Sequence, residues 1–287
     1  MASLKAQDLF SLEGRRALIT GGSRGIAAAI AEAFALNGAI VGLNYSAAAD
    51  EAAGRPDAAR RLQHRLGQLG GEVVLIEQDL SGAGAARDLA AAMDETVGPP
   101  DILVLSASVQ VHREFLAMTD EATMRQIRLN LLTPIELLQA VLPGMRSRGY
   151  GRVLTLGSVQ EEAPSPDMPL YAATKAAQAN LVRNLAVGMA PHGITINNLS
   201  PGLIETDRNA FRRTDPSHWL QSVRTANPMG RAGQPADLAG AALYLCSDAA
   251  SFVTGATLFV TGGAHIPHTP AADPPVVTTG ASAPMGT

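Results

Sequence analysis

Short runs of β-branched and aliphatic residues alternate along this chain with longer stretches rich in alanine and leucine. The short runs have the length of buried strands, and the longer stretches have the apolar spacing of helices. This alternation predicts repeated β-α units on a parallel sheet, and so an α/β fold. The predicted strands are 16–20, 39–44, 72–77, 101–106, 152–157, 194–199 and 257–260, and the predicted helices are 25–37, 57–69, 84–97, 120–147, 170–190 and 235–246.

Several segments depart from the regular alternation. The helical stretch 120–147 contains Pro134, which predicts a kink or break because proline lacks an N–H and its ring clashes with the preceding turn. The polar, alanine-rich segment 46–56 predicts a long connection, and the irregular segment 203–229 predicts a lid over a pocket. The Pro-rich segment 266–287 has too few apolar residues for a core, so we expect one domain over 1–265 followed by a flexible tail.

Composition narrows the class of protein. With 46% hydrophobic and 17% charged residues among 287, the chain can bury one large core. A net charge of −4 provides no broad basic surface, so we expect no nucleic-acid partner. No run approaches the roughly 20 apolar residues of a membrane helix, and residues 1–12 lack a signal-peptide pattern, so we expect no membrane partner and a cytoplasmic location. Cys246, the only cysteine, predicts a buried thiol, no disulfide and no metal site.

A glycine-rich turn follows the first predicted strand. It reads Thr20-Gly21-Gly22-Ser23-Arg24-Gly25-Ile26-Ala27 and leads into a helix. Glycines in a strand-to-helix turn let the backbone approach a pyrophosphate, whose negative charge is favoured by the helix N-terminus. Such turns are common in α/β proteins, but the position directly after the first strand favours a dinucleotide site.

Arg24 bears on which dinucleotide binds. We expect it in the first turn of the helix, where the macrodipole disfavours a cation unless an anion binds beside it. About 20 residues further on, where an NAD site places an acid for the ribose 2′-hydroxyl, the chain reads Asn44-Tyr45-Ser46. We therefore predict that NADP(H) is preferred, with Arg24 and Ser46 near the 2′-phosphate. NAD(H) stays open, because Asp50 or Glu51 can fold back onto a ribose and Arg24 can be simply solvated.

A tyrosine and a lysine stand four residues apart. The chain contains only two lysines, Lys5 and Lys175, and the second follows Tyr171 at the spacing that places two side chains on one helix face. An ammonium beside a phenol favours the phenolate form, so such a pair can donate and accept the proton of carbonyl or alcohol chemistry. One pair at this spacing also arises by chance, and other residues must decide.

Further motifs accompany this pair. After the glycine turn come Asp79-Leu80, Asn130 and Ser158, and then the segments 201–206, 230–235 and 254–263. With these motifs, residues 10–265 resemble the short-chain dehydrogenase/reductase family, specifically the single-domain branch that includes the bacterial 3-oxoacyl-carrier-protein reductases. The resemblance implies a Rossmann-type, doubly wound, seven-stranded parallel sheet with helices on both faces.

The resemblance also implies roles for individual residues. Tyr171 is the expected proton donor, Ser158 orients the carbonyl, Lys175 holds the nicotinamide ribose, and Asn130 holds a water that links Lys175 to solvent. Each has a plainer reading on its own, with Ser158 as a turn residue and Asn130 as a kink partner of Pro134. The expected cofactor contacts are Gly21, Ser23, Arg24, Gly25, Ile26, Asn44, Tyr45, Ser46, Asp79, Leu80, Ser106, Ala107, Ser108, Tyr171, Lys175, Pro201, Gly202, Ile204 and Thr206. A homotetramer that packs helices 120–147 and 170–190 across one interface is also implied.

Three positions depart from the family pattern. Ala27 replaces the last glycine of the turn, Thr261 replaces an aspartate, and Leu105-Ser106-Ala107-Ser108 stands where Asn-Asn-Ala-Gly is usual. We expect Ser106 or Ser108 to supply the hydrogen bonds that the missing asparagines would make.

Substrate residues are less clearly marked. We expect Gln110, His112, Gln160, Glu161, Met168 and Trp219 near the substrate, which favours a small polar ketone, sugar or polyol, although all can be solvated loop residues. His112 has no companion at ligand spacing, which argues against a metal. The leading hypothesis is an NADP(H)-dependent carbonyl reductase or alcohol dehydrogenase. A 3-oxoacyl thioester reductase is the alternative, with Arg208, Arg212 and Arg213 as a patch for an acidic carrier, and a non-catalytic nucleotide sensor is a third reading.

Overall fold

One parallel sheet organises the protein. The computed structural model describes residues 5–163 and 165–267, and within them the strands are β1 (Arg16–Ile19), β2 (Ile40–Tyr45), β3 (Glu72–Glu77), β4 (Ile102–Leu105), β5 (Gly151–Leu156), β6 (Ile194–Pro201) and β7 (Thr257–Val260). Their order in the sheet is β3-β2-β1-β4-β5-β6-β7, and every pair is parallel. Strand order reverses between β1 and β4, which is the point where doubly wound sheets bind ligands at the carboxyl ends of their strands.

Helices cover both faces of this sheet. They are α1 (Ala6–Leu9), α2 (Gly25–Leu36), α3 (Ala47–Ala52), α4 (Ala58–Gln68), α5 (Ala85–Thr96), α6 (Asp120–Ile127), α7 (Thr133–Arg148), α8 (Pro169–Met189), α9 (Pro216–Ala226) and α10 (Ala236–Cys246). The seven predicted strands and five of the six predicted helices are thus present, with ends that differ by at most two residues, and the predicted helix 120–147 is divided into α6 and α7. None of the helices in the described ranges is long and apolar enough to cross a membrane.

The core has two halves because neighbouring strand residues point to opposite faces. Ile19 of β1 joins Phe34 of α2 and Leu245 of α10 on one face. Leu18 joins a second cluster on the other face, which includes Met93 of α5 and Val182 of α8. Each fully buried leucine, isoleucine or phenylalanine stabilises the fold by about 1.5–3 kcal/mol. These two apolar layers hold the sheet in place, and with it the loops that follow the carboxyl ends of its strands.

Three regions differ from the sequence predictions. The predicted connection 46–56 contains α3, because Ser46 caps this helix by accepting a hydrogen bond from the Ala49 N–H at 3.3 Å. The predicted helix 120–147 is interrupted by a π-helical turn, Arg128–Leu132, after which Pro134 lies in the first turn of α7. The lid is helical, with a 3₁₀ segment Asp207–Arg213 followed by α9.

The predicted tail is only partly described. The described chain ends with a turn at residues 261–265 and with Ile266 and Pro267. Residues 268–287 lie outside the described residues.

Candidate active site

A cavity of about 670 Å³ opens at the carboxyl ends of the strands, where the strand order reverses. Gly21 and Asn44 line it after β1 and at β2, Ser106 and Ser158 line it after β4 and β5, and Pro201 lines it at the end of β6. The parallel topology therefore gathers residues from distant parts of the chain at one edge of the sheet.

The glycine turn forms a backbone cradle on the floor of this cavity. Gly21 and Gly25 have φ of +62° and +59°, a region that other residues rarely adopt. A Cβ at Gly21 would lie 3.0 Å from the Ala107 Cα. No side chain caps the N-terminus of α2, so its first N–H groups are available to an anion. The turn thus fits the pyrophosphate of a dinucleotide.

Thr20 fastens the glycine turn to the segment after β4. Its Oγ1 accepts hydrogen bonds from the N–H groups of Ser106 and Ala107 at 2.9 and 3.1 Å, and donates to the Val104 carbonyl at 3.3 Å. We expected the hydroxyls of Ser106 or Ser108 to replace the asparagine hydrogen bonds usual in the family. In the structure Thr20 holds the backbone N–H groups of this segment, and the Ser108 hydroxyl accepts a hydrogen bond from Arg208 at 3.1 Å.

Arg24 lies at the N-cap of α2 rather than inside the first turn, and it is not free. Its Nε donates to Asp50 Oδ1 at 2.7 Å, and Ser23 Oγ donates to the same oxygen at 2.8 Å. The Asp50 side chain is 2% exposed, and its other oxygen, Oδ2, is buried without a hydrogen-bond partner. Asp50 therefore folds back toward the dinucleotide end of the cavity, as one reading of the sequence allowed.

Asn44 holds the ends of neighbouring strands together. Its Oδ1 accepts from the Gly21 N–H at 3.2 Å, and its Nδ2 donates to the Gln78 carbonyl at 3.0 Å. Tyr45, in contrast, does not line the cavity, because its hydroxyl turns to Glu77 Oε2 at 3.1 Å. The other predicted cofactor residues that line the cavity are Ser23, Ile26, Ser46, Asp79, Leu80, Ala107, Ser108, Gly202, Ile204 and Thr206.

Ser158, Tyr171 and Lys175 all line the same cavity. Ser158 stands directly after β5, and its Oγ accepts a hydrogen bond from the Gln160 N–H at 3.3 Å. Tyr171 and Lys175 lie one turn apart on α8, and the Lys175 Nζ is 5.8 Å from the centre of the tyrosine ring. The arrangement brings two hydroxyls and an amine to one wall.

Lys175 is held inside the protein by two acceptors. Its Nζ donates to the Leu156 carbonyl at 2.6 Å and to Gln178 Oε1 at 3.0 Å. Burial, and to a smaller extent the positive charge of Arg208, lower the pKa of this amine to about 7, and Glu161 opposes the shift. Desolvation disfavours the charged form of an amine, which explains the direction. Such a group can take up and release a proton near neutral pH.

Asn130 occupies the π-helical turn and is completely buried. Its Oδ1 accepts from the Val109 N–H at 2.8 Å, while its Nδ2 donates to the Val109 carbonyl at 2.9 Å and to Thr174 Oγ1 at 3.3 Å. Both amide hydrogens are thus engaged, and the side chain does not line the cavity. Asn130 ties the loop after β4 to α8. Its hold on a water that links Lys175 to solvent stays a prediction.

Two predicted substrate residues lie elsewhere. Glu161 turns behind Ser158, where its carboxylate accepts from the Ser158 N–H at 2.7 Å and from Asn198 Nδ2 at 2.8 Å. Burial raises the pKa of this carboxyl, against these two hydrogen bonds. Trp219, on α9, packs against Arg213, whose guanidinium carbon lies 6.0 Å from the centre of the indole ring. Neither lines the cavity, whereas Gln110, His112, Gln160 and Met168 do.

The lid crosses the cavity and contacts the loop after β4. Arg208 donates to Ser108 Oγ at 3.1 Å and to the Ser108 carbonyl at 2.9 Å, and Phe211 meets His112 edge to face at 5.8 Å. Sequence reasoning placed Arg208 and Arg212 in a lid but did not assign Phe211, or Arg125 of α6, to the pocket. No local motif marks them, because they come from segments that only the tertiary fold brings together.

Comparison with known proteins identifies the family. A family model described as enoyl-(acyl carrier protein) reductase matches residues 21–265. The 7alpha-hydroxysteroid dehydrogenase of Escherichia coli is 36% identical over 257 residues, which cover 89% of this chain and 96% of that protein. This chain belongs to the short-chain dehydrogenase/reductase family.

Two solved structures of this family resemble the protein closely. A 3-oxoacyl (acyl-carrier-protein) reductase from Agrobacterium tumefaciens with NADP bound is 43% identical, has a TM-score of 0.85, and covers 91% of this chain and 98% of its own. A gluconate 5-dehydrogenase from Burkholderia cenocepacia in complex with NADP and tartrate is 34% identical and has a TM-score of 0.81. The match covers 91% of this chain and 98% of the gluconate 5-dehydrogenase chain. The protein is thus a short-chain, NAD(P)-dependent oxidoreductase with a Rossmann-type fold.

Proposed function

We propose that the protein is an NADP(H)-preferring carbonyl reductase or alcohol dehydrogenase that acts on a small polar substrate. The observation that carries this proposal is the shared cavity. Ser158, Tyr171 and Lys175 stand on one wall, and the uncapped N-terminus of α2 with its glycine turn forms the floor. The glycine turn would hold the pyrophosphate of a dinucleotide, which would supply hydride chemistry to the cavity that contains the two hydroxyls.

In this proposal each side chain has one chemical task. The nicotinamide supplies or accepts the hydride. Tyr171 donates a proton to the carbonyl oxygen during reduction and accepts it during oxidation. Ser158 donates a second hydrogen bond to the same oxygen, where negative charge develops. Lys175 favours the phenolate electrostatically and binds ribose hydroxyls, while Asn130 and Glu161 position the loops that carry these groups.

The preference for NADP(H) rests on Arg24 and on the relatives. Both solved relatives described above contain NADP. Arg24 lines the cavity beside the end of β2, where Asn44 and Ser46 stand in place of an acid. Asp50 pairs with this arginine and offsets part of its charge. We therefore expect NADP(H) to be preferred and NAD(H) to be accepted.

Replacement of the proposed acid tests the function. Tyr171→Phe removes the phenolic proton but keeps the ring, so turnover should fall by about 100-fold or more. Binding of NADPH, followed by fluorescence titration, should remain nearly unchanged. Tyr244→Phe, a partly buried tyrosine outside the cavity, is the control and should retain the rate. Wild-type turnover in Tyr171→Phe would refute the assignment.

A 3-oxoacyl thioester reductase is the second candidate. It is favoured by the 43% identical structural relative and by Arg208 and Arg212 at the mouth of the cavity. NADPH oxidation with acetoacetyl thioesters, compared with simple ketones and sugars, separates the two candidates. A kcat/KM that is highest for the thioesters would favour this alternative.

We also propose a homotetramer in the cytoplasm. A second cavity of about 700 Å³ lies on the outer surface of α7 and α8 and is lined mainly by apolar residues, among them Leu138, Leu142, Leu181, Leu185 and Met189. A second copy of the chain would remove this apolar surface from water.

A further inference from the structure

The cavity has a substrate end that is basic. This end comprises the cavity residues from the loop after β4, from α6, from the turn after β5 and from the lid. Its charged members are Arg125, Arg208, Arg212 and Asp207, and Gln110, His112 and Gln160 are among its other polar members. The whole chain has a net charge of −4, so a cluster of three arginines at one end of a cavity is opposite in sign to the charge of the protein as a whole. Their arrangement therefore calls for an explanation in terms of what binds there.

No carboxylate of the described residues that line the cavity forms an ion pair with Arg125, Arg208 or Arg212. The acidic residues that line the cavity are Asp50, Asp79 and Asp207. Asp50 lies at the glycine turn, Asp79 follows β3 at the far side of the sheet, and Asp207 pairs with Arg55 at 3.4 Å. Glu161, which the sequence placed near the substrate, is turned behind Ser158. With Asp207 paired to Arg55, the three arginines give the substrate end a net positive charge.

The arginines have free donors. Arg208 spends two of the five N–H groups of its guanidinium on Ser108. Arg125 and Arg212 make no ion pair or side-chain hydrogen bond within residues 5–163 and 165–267. The neighbouring Arg213 differs, since it donates to the Thr206 carbonyl at 3.1 Å and packs on Trp219. Guanidinium donors in a fork match the two oxygens of a carboxylate.

Gln160 adds a different requirement. Its amide makes no hydrogen bond within the described part of the chain, and its Oε1 is buried without a partner. A buried amide without a partner costs about 1–3 kcal/mol, so a ligand that supplies a partner gains affinity. Gln160 lines the same cavity as Ser158 and Tyr171, which in the proposed function hold the reacting oxygen. A hydroxyl next to the reacting carbon would satisfy this amide.

We propose that the substrate is a small hydroxy carboxylate, or the keto acid formed from it, with the carboxylate bound by Arg208 and a neighbouring arginine and with a hydroxyl bound by Gln160. The inference rests on the proposed function. In oxidation, the carbinol C–H bond breaks and its hydride passes to the oxidised nicotinamide. The hydroxyl proton passes to Tyr171 and then to solvent, and a C=O bond forms. The carboxylate keeps its atoms and its charge and serves only as a handle.

The test compares substrates of equal length that differ in one group. Six-carbon aldonates, as sodium salts, carry a terminal carboxylate where the hexitols carry a hydroxymethyl group. With NADP⁺ as oxidant, kcat/KM should be at least about tenfold higher for the best aldonate than for the best hexitol, the size of one charge-assisted hydrogen bond. A rise in NaCl to about 0.5 M should lower this ratio, because salt screens the attraction between exposed charges.

Variants locate the effect at Arg208. Arg208→Gln should lower the aldonate kcat/KM by about 10- to 100-fold and lower the hexitol value much less, since only the aldonate has a carboxylate that pairs with the guanidinium. Arg208→Lys retains the charge and should restore part of the aldonate preference, which a merely structural role in holding Ser108 would not predict. Arg183→Gln, on the exposed side of α8 and outside the cavity, is the matched control and should leave both values unchanged.

Three results would overturn the inference. Equal kcat/KM for aldonates and hexitols, without salt dependence, would show that charge plays no part, although the proposed function would stand. Acetoacetyl thioesters as the best substrates, weakened by Arg208→Gln, would assign the basic end to the phosphates of a carrier. No reaction of any ketone, sugar, polyol, acid or thioester with either dinucleotide would refute the proposed function itself.

Discussion

At the residue scale, the active site depends on single side chains that are buried more deeply than their polarity favours. Lys175 is 1% exposed, Asn130 is completely buried, and Asp50 is 1% exposed. Burial of a charged or polar group is unfavourable unless hydrogen bonds replace those of water. Each of these side chains has such partners, although Asp50 Oδ2 has none, and each lies in or beside the cavity that contains the proposed acid.

The pair of Arg24 and Asp50 predicts how dinucleotide choice can be altered. Arg24→Gln removes the cation proposed to face the 2′-phosphate, and should lower the ratio of kcat/KM for NADPH over NADH by about tenfold or more. Asp50→Asn removes the opposing negative charge and should raise the same ratio. Steady-state kinetics with both dinucleotides measure the two effects. If both variants moved the ratio in the same direction, the charge argument would be incorrect.

Lys175 predicts a pH dependence of stability in the free protein. Its pKa is lowered from 10.5 to about 7, mainly by burial. Between these two values the unfolded chain binds more protons than the folded one, so the contribution of Lys175 to the free energy of unfolding rises with pH across this range. The penalty for the buried charge is therefore largest below about pH 7.

Lys175→Met removes that penalty. We expect the variant to be more stable than the wild-type protein at pH 7, and the difference between them to shrink as the pH approaches 10. Urea unfolding of both proteins without dinucleotide, from pH 7 to about 9.5, measures this difference. A difference that stays constant over the range would contradict the assigned shift.

At the element scale, the π-helical turn between α6 and α7 is the main departure from regular structure. The sequence predicted one helix with a kink at Pro134, but the distortion lies in the turn before it, at Arg128–Leu132. The wider turn carries Asn130, whose amide then pairs with both backbone groups of Val109. The position of the π-helical turn thus determines where Asn130 holds the loop after β4.

Asn130→Ala tests this link. The variant leaves the Val109 N–H and carbonyl without their partners, so we expect a loss of about 2–4 kcal/mol in the free energy of unfolding. A higher KM is expected too, because the anchored loop carries Ser108, Gln110 and His112. Asn184→Ala, which removes an exposed hydrogen bond to the Asn180 carbonyl on α8, should cost less than about 0.5 kcal/mol. Equal losses in both variants would argue against a special role for Asn130.

At the scale of the whole molecule, two cavities have different chemistry. The active-site cavity combines a backbone cradle, three proposed catalytic side chains and a basic end. The second cavity, on α7 and α8, has a mainly apolar lining and shares no residue with the first. An apolar surface of this kind fits an interface rather than catalysis.

Leu185→Glu tests the proposed tetramer. A charge in the second cavity, on α7 and α8, should be costly to bury at an interface, so the variant should form smaller species than the wild-type protein. Size-exclusion chromatography with light scattering measures the mass of both. Leu69→Glu replaces a leucine that is 57% exposed at the end of α4, outside the second cavity, and should leave the assembly unchanged. A monomeric wild-type protein would contradict the proposal.

The sequence alone determined the sheet, the dinucleotide turn and the tyrosine-lysine pair, because each is a local pattern. Strand alternation, glycines at a strand end and a four-residue spacing all act within a few residues of the chain. Only the tertiary structure decided that Asp50 holds Arg24, that Glu161 turns behind Ser158, and that Arg125 and Arg208 share one end of the cavity. These contacts join residues from separate β-α units, and packing, rather than local propensity, sets which side chains meet and which face the substrate.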